Sequence, residues 1–217
     1  PRLLDWLAQS FVSNGWSLKK LHREILLSAT WQMSSAHMER KFTKDGDNRL
    51  IWRMNPRKLD VEIWRDSLLA ASGELDATLG GAPTDKILDS TRRTLYSKIS
   101  RSGDRFASDA FLRLFGFPAP QSTSARRAVS TVPQQYLFMM NSSFMQKRAQ
   151  ALAQALQEEK EPGDRIRILY QRLYSRPPAP EETEIGLAFV ESGSDPNKVW
   201  AQYAQVLLSS HEFMQIQ

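Results

Sequence analysis

The chain contains no cysteine. Disulfides, thiolate zinc sites, a cysteine nucleophile and covalent haem attachment are therefore excluded within its 217 residues. Histidine is scarce: His22, His37 and His211 never stand one helical turn apart, so no zinc-ligand spacing arises and no metal site is expected. No apolar run is long enough to span a bilayer. Phosphate loops are missing too. Gly80-Gly81 is not followed by Lys-Ser/Thr, and there is no G-x-G-x-x-G. No G-x-S-x-G marks a nucleophilic serine. Asp45-Gly46-Asp47-Asn48 lacks the acid spacing and closing glutamate of an EF-hand, which leaves a turn. A start at Pro1 instead of Met is expected of a fragment or a processed product.

Acid is absent from one long block. Residues 110–157 carry five basic side chains and no carboxylate, whereas 158–217 carry six basic and ten acidic ones. Residues 1–60 hold 11 basic and six acidic groups, and the whole chain has a formal charge of +5. A block without acid attracts anions, unless the acidic tail folds back against it, which is the plainer expectation. The basic residues are dispersed and no helix carries a basic stripe with base-reading side chains, so nucleic acid is not an expected partner.

What the chain does have is helical periodicity, with 41% hydrophobic residues to build a core. Leu3, Leu4, Leu7, Phe11 and Val12 recur at helical spacing, and Ser17 caps a second helix with Leu18, Leu21, Ile25 and Leu26 on one face. Together they predict a helical hairpin. Leu59 to Leu75 reads as a helix with Leu59, Ile63, Ser67 and Ala70 or Ala71 inward. Asp104 is expected to cap a short apolar helix that ends before Gly116-Phe117-Pro118.

Ser130 or Thr131 is expected to cap the longest helix, with Pro133 in its first turn. Without glycine or proline up to Gln157, it should place Tyr136, Met140, Phe144, Ala149, Leu152 and Leu156 on one face. Met139, Met140 and Met145 beside Phe138 and Phe144 read as core filling, not as axial haem ligands. Pro162, Pro180 and Asp195-Pro196 start the remaining helices. Residues 92–100 (RRTLYSKIS) are the one strand-like stretch. The expected fold class is mainly α: an irregular domain of about eight helices, with at most one short β element near 94–100. A single domain over 1–217 is expected, with 1–120 and 121–217 as the alternative division.

Two groups of residues carry candidate chemistry. Asp60, Glu62 and Asp66 lie on one helix and offer the acid and base of a glycoside hydrolase. An ion-pair network with Arg57, Lys58 and Arg65 explains them more simply. Arg126 and Arg127 stand before a helix N-terminus, where free N–H groups and the hydroxyls of Ser130 and Thr131 complete an anion site. Pairing of the arginines with acidic side chains of the tail is the simpler alternative.

Several ordered stretches resemble one family. LLDWLAQSFVSNGWSLKKLHREILLSATWQMSS, NPRKLDVEIWRDSLLAASGEL, ARRAVSTVPQQYLFMMNSSFM, RIRILYQRLYSRPPAPEETEIGLAFV and LLSSHEFMQI together resemble the C-terminal domain of unknown function of large secreted proteins of the planctomycete type. The resemblance spans nearly the whole chain. It implies export to the periplasm or cell surface and a place downstream of a cytochrome-c-like module. It also implies no cofactor in this chain, with haem c in an upstream domain. Where such proteins often carry a cysteine before the paired arginines this chain has Ala125, so no redox or metal role exists at that position. The resemblance implies no catalytic residues. The expected function is a non-catalytic helical module that packs on upstream domains or binds a partner or an anionic glycan. The alternative is an enzyme domain acting on complex or sulfated polysaccharide, with Asp60, Glu62 or Asp66 as acid/base.

Overall fold

The computed structural model describes residues 2–121, 123–127 and 130–216. The chain forms two compact units, 1–57 and 58–216, so residue 120 lies inside the second.

In the first unit α1 (Arg2–Ser13) and α2 (Leu18–Leu26) form the expected hairpin. Ser17 caps α2 through its hydroxyl, which accepts from the Lys20 N–H. Ser10 Oγ donates to Glu24 across the pair at 3.0 Å. After the single turn α3 (Glu39–Phe42) the chain is organised by polar side chains. The Asp45 carboxylate accepts the Arg49 and Leu50 N–H groups. Asn48, held left-handed at φ 55, bonds Trp52, Arg53 and Asn55. The acidic turn thus binds its own backbone. Among the described residues of this unit only Asn48 is buried, and no apolar side chain is.

The core belongs to the second unit. It is built from α4 (Val61–Ala71), α5 (Ala107–Leu114), α6 (Pro133–Asn141), α7 (Ser143–Gln154), α8 (Pro162–Tyr174), α9 (Pro180–Glu191) and α10 (Pro196–Leu208). α7 packs on α10, and α10 on α9; α8 lies on α9, and α4 on α7. Helix starts follow the sequence where proline or aspartate supplies them. Pro162, Pro180 and Pro196 occupy first-turn positions, and Asp195 accepts the Asn197 and Lys198 N–H groups. α9 approaches its neighbours through Gly186, where a Cβ would stand 2.5 Å from the Tyr203 hydroxyl.

Several expectations are corrected. The helix expected from Pro133 to Gln157 breaks at Ser142. That residue turns extended (ψ 138) so that its hydroxyl can accept the Met145 N–H and cap α7. α6 is capped by Val132, without a side-chain bond, in place of Ser130 or Thr131. Met139 and Met145 are core as expected, but Met140 and Leu137 are exposed, and the other buried residue of α6 is Gln135. Asp104 pairs with Arg113 instead of capping, and Asp109 accepts the Phe106 N–H at the start of α5. The stretch near 94–100 forms a 3-10 turn, Thr94–Tyr96, with one isolated bridge from Ser97 to Thr84. The described residues pair as strands instead at β1 (Arg57–Lys58) and β2 (Gln215–Ile216).

α4 is shorter than expected, and it turns a different face inward. Val61, Trp64, Arg65, Leu68 and Leu69 are buried, while Ile63 is exposed. Arg65 makes this possible. Its guanidinium donates to the carbonyls of Ile87, Ser90 and Arg92 and to the Thr94 hydroxyl. It also stands over the Phe144 ring at 5.7 Å. A charge can be taken out of water only when its donors are met in this way.

Candidate functional site

The outward face of α4 lines a cleft of about 600 Å³ whose opposite wall is residues 93–99, with Leu112 and Phe117 among its lining side chains. Glu62 and Asp66 stand one turn apart in its wall. Asp60 sits at the helix N-terminus, outside the lining.

Both lining carboxylates are engaged. Glu62 takes two parallel hydrogen bonds from Arg127, at 2.6 and 2.8 Å. Arg127 also lies 3.7 Å from Asp60 and rests over the Phe117 ring at 5.1 Å. Burial pushes the Glu62 carboxyl up, but the Arg127 hydrogen bond and charge outweigh it, and the group falls below its ordinary range. Asp66 accepts the Thr94 N–H at 2.8 Å and its hydroxyl at 2.7 Å. It also has Arg93 at 3.5 Å and Arg65 at 3.6 Å. A general acid must hold a proton near neutral pH; Glu62 is held ionised, and Asp66 is wrapped in donors.

The structure brings Arg127 to the acids of α4, 65 residues earlier in the chain, and not to the tail. Arg126 stays exposed, and among the described residues its guanidinium makes no ion pair or hydrogen bond. Ser130 contributes its carbonyl, which accepts from Lys58 Nζ at 2.9 Å. Thr131 is exposed. The four candidates for anion binding therefore do not converge as one cluster of free donors.

Sequence reasoning missed Gln135, and it read Lys58 only as an ion-pair partner of the acids of α4. The buried Gln135 amide donates to the Leu114 and Ser130 carbonyls and accepts from Lys58, which ties 58, 114 and 130 together. Burial pushes the Lys58 ammonium below its ordinary value. A single inward glutamine leaves no periodic trace in a sequence. His37 lies 3.0 Å from Glu39, and His211 bonds Tyr136 at 2.9 Å. Among the described residues no three His, Asp or Glu side chains gather as a metal site.

The Glu62–Arg127 pair gives a pH prediction. The folded carboxyl lies below its unfolded value, so its contribution is present above about pH 4.5 and lost as pH falls through the folded value. Glu62→Gln is expected to cost about 1 kcal/mol at pH 7, a figure kept small because Arg127 is partly open to solvent. The gap between variant and wild type should close in acid. Urea unfolding of both proteins at pH 7 and pH 3 checks this, and an equal gap at the two pH values would refute it.

A family model described as PSD1, protein of unknown function (DUF1553), matches residues 1–190. No curated protein and no solved structure matches.

Proposed function

The chain belongs to the PSD1 family of proteins of unknown function (DUF1553), and we propose that it is a non-catalytic helical module. It packs on upstream domains of an exported multidomain protein or binds a partner, an anionic glycan among them. Export and a haem-bearing upstream neighbour rest on the motif resemblance alone. The observation that carries the non-catalytic reading is the state of the cleft. Glu62 is closed by a bidentate arginine, and Asp66 by Thr94 and Arg93. Hydrolysis of a glycosidic bond needs one carboxyl that gives a proton and a second that faces the sugar.

An anionic glycan would meet Arg126, a guanidinium with no ion-pair or hydrogen-bond partner among the described residues, at the head of the acid-free block. Titration calorimetry with sulfated dextran tests this. Arg126→Ala is expected to weaken binding several-fold while the unfolding midpoint stays unchanged, and no reducing ends should appear on long incubation. Equal binding by the variant overturns the glycan reading. Release of reducing ends that Glu62→Gln abolishes overturns the non-catalytic one.

A further inference from the structure

Residues 1–57 hold ten of the 29 basic and five of the 24 acidic side chains, which leaves 19 of each in the remainder. The entire net charge of +5 therefore belongs to the first unit. Three of its five acids are turned to internal bonds: Glu24 to Ser10, Glu39 to His37, and Asp45 to the backbone of Arg49 and Leu50.

The same unit exposes apolar side chains in quantity. Leu3, Leu4 and Trp6 on α1 are 70%, 72% and 52% exposed, and Leu18 and Leu26 on α2 are 60% and 47% exposed. Trp16 and Trp31 are also more than half exposed. On α2 the apolar positions 18, 21 and 25 share one face, and Lys19, Lys20 and Arg23 lie on the opposite, polar face.

Four kinds of surface could cover this unit, and they use its features differently. A glycan or a nucleic acid uses the charge but leaves leucine and isoleucine faces wet. A protein partner uses the apolar faces, but lysine is depleted from the centre of such interfaces. An anionic bilayer uses both. Leucine enters the acyl boundary, tryptophan prefers the headgroup level, and lysine on the polar face holds its ammonium near the phosphates. We propose that residues 1–57 are a docking surface for membranes containing anionic phospholipid, with α1 and α2 lying in the interface. No helix among the described residues is long and apolar enough to cross a membrane, so the attachment is peripheral. This inference goes beyond the reading above and uses none of its residues.

Flotation of the whole chain with phosphatidylglycerol-containing vesicles and with pure phosphatidylcholine vesicles tests it, with tryptophan emission read alongside. Trp64 and Trp200 are already buried, so a blue shift reports the first unit. Expected is binding to the anionic vesicles only, with a blue shift and a decline in added salt. Lys19→Glu/Lys20→Glu and, separately, Leu3→Ser/Leu4→Ser should each weaken binding about tenfold or more. All four side chains are exposed, so circular dichroism should be unchanged. Arg126→Ala should bind vesicles like wild type, which separates this outcome from that of the glycan test. Equal binding to both kinds of vesicle, binding without a blue shift, or variants indistinguishable from wild type would each overturn the proposal. So would failure to float by a chain that retains binding to sulfated dextran or DNA through Lys19 and Lys20.

Discussion

Arg65→Met is expected to destabilise the second unit by about 3–4 kcal/mol, as removal of a buried charge that satisfies several partners does. For a chain of this length that is a fall in melting temperature of about 10 °C. The side chain is fully buried, so nothing can be recovered by moving it into water. Its loss strands the carbonyls of Ile87, Ser90 and Arg92. Methionine fills much of the volume, so the cost is one of polarity more than of packing. Burial lowers the guanidinium to about 10, with Asp66 opposing and Arg148 adding to the shift, so it stays charged at neutral pH.

Arg65→Lys should recover less than half of the loss. An ammonium is a point charge with three donors, and it cannot span carbonyls that a planar fork reaches together. Because Thr94 also bonds Asp66 in the cleft wall, the segment 76–94 should become protease-sensitive in both variants before global unfolding. Urea unfolding and limited proteolysis check the two claims. A loss below about 1 kcal/mol would show that the loop holds its shape without the arginine.

Arg65 also shows where the sequence misleads. Reading α4 by hydrophobic period alone puts Ile63 inside and a charged residue outside. The structure reverses both, because the fork finds its acceptors in a loop 22–29 residues away. Periodicity assumes that charge means water, and that assumption fails where long-range carbonyls satisfy the charge. Local signals fared better. Ser17, Pro162, Pro180 and Asp195 mark helix starts because a cap is made by neighbours within three residues. Ser142 obeyed the same rule. It was hidden because an uninterrupted run without glycine or proline reads as one helix, and a serine inside it is ambiguous.

The candidate site divides in the same way. That Asp60, Glu62 and Asp66 lie near each other follows from their spacing on α4. That Arg127 closes Glu62 does not, because the pair spans 65 residues and has no local signature. Charge bookkeeping anticipated that the paired arginines would need acids but sought them in the acidic tail. There Glu182 and Glu212 are already claimed by Arg176, through bidentate bonds at 2.6 to 2.8 Å.

The second large effect concerns residues 1–57 taken alone. A fragment ending at Arg57 is expected to be largely unfolded in dilute buffer, while residues 58–217 retain a single cooperative transition. α1 has 12 residues and α2 nine, at or below the roughly 12–15 at which an isolated helix is even marginal in water. Helices of that length owe their stability to a packed apolar face, and among the described residues of this unit no apolar side chain is buried. Of its apolar side chains the hairpin half-covers only Leu7, Phe11 and Leu21. Among the described residues, the second unit contains every buried apolar one, from Val61 to Met214. Below about 60 residues a chain needs a disulfide, a metal or a partner if its core is thin. The first of these is closed to a chain without cysteine. Far-ultraviolet circular dichroism of the two fragments decides the matter. A cooperative melt in 1–57, or a non-cooperative one in 58–217, would show that the division of stability drawn from burial is wrong. If the fragment gains helix on anionic vesicles and not in buffer, the energy that folds it comes from the surface it docks on.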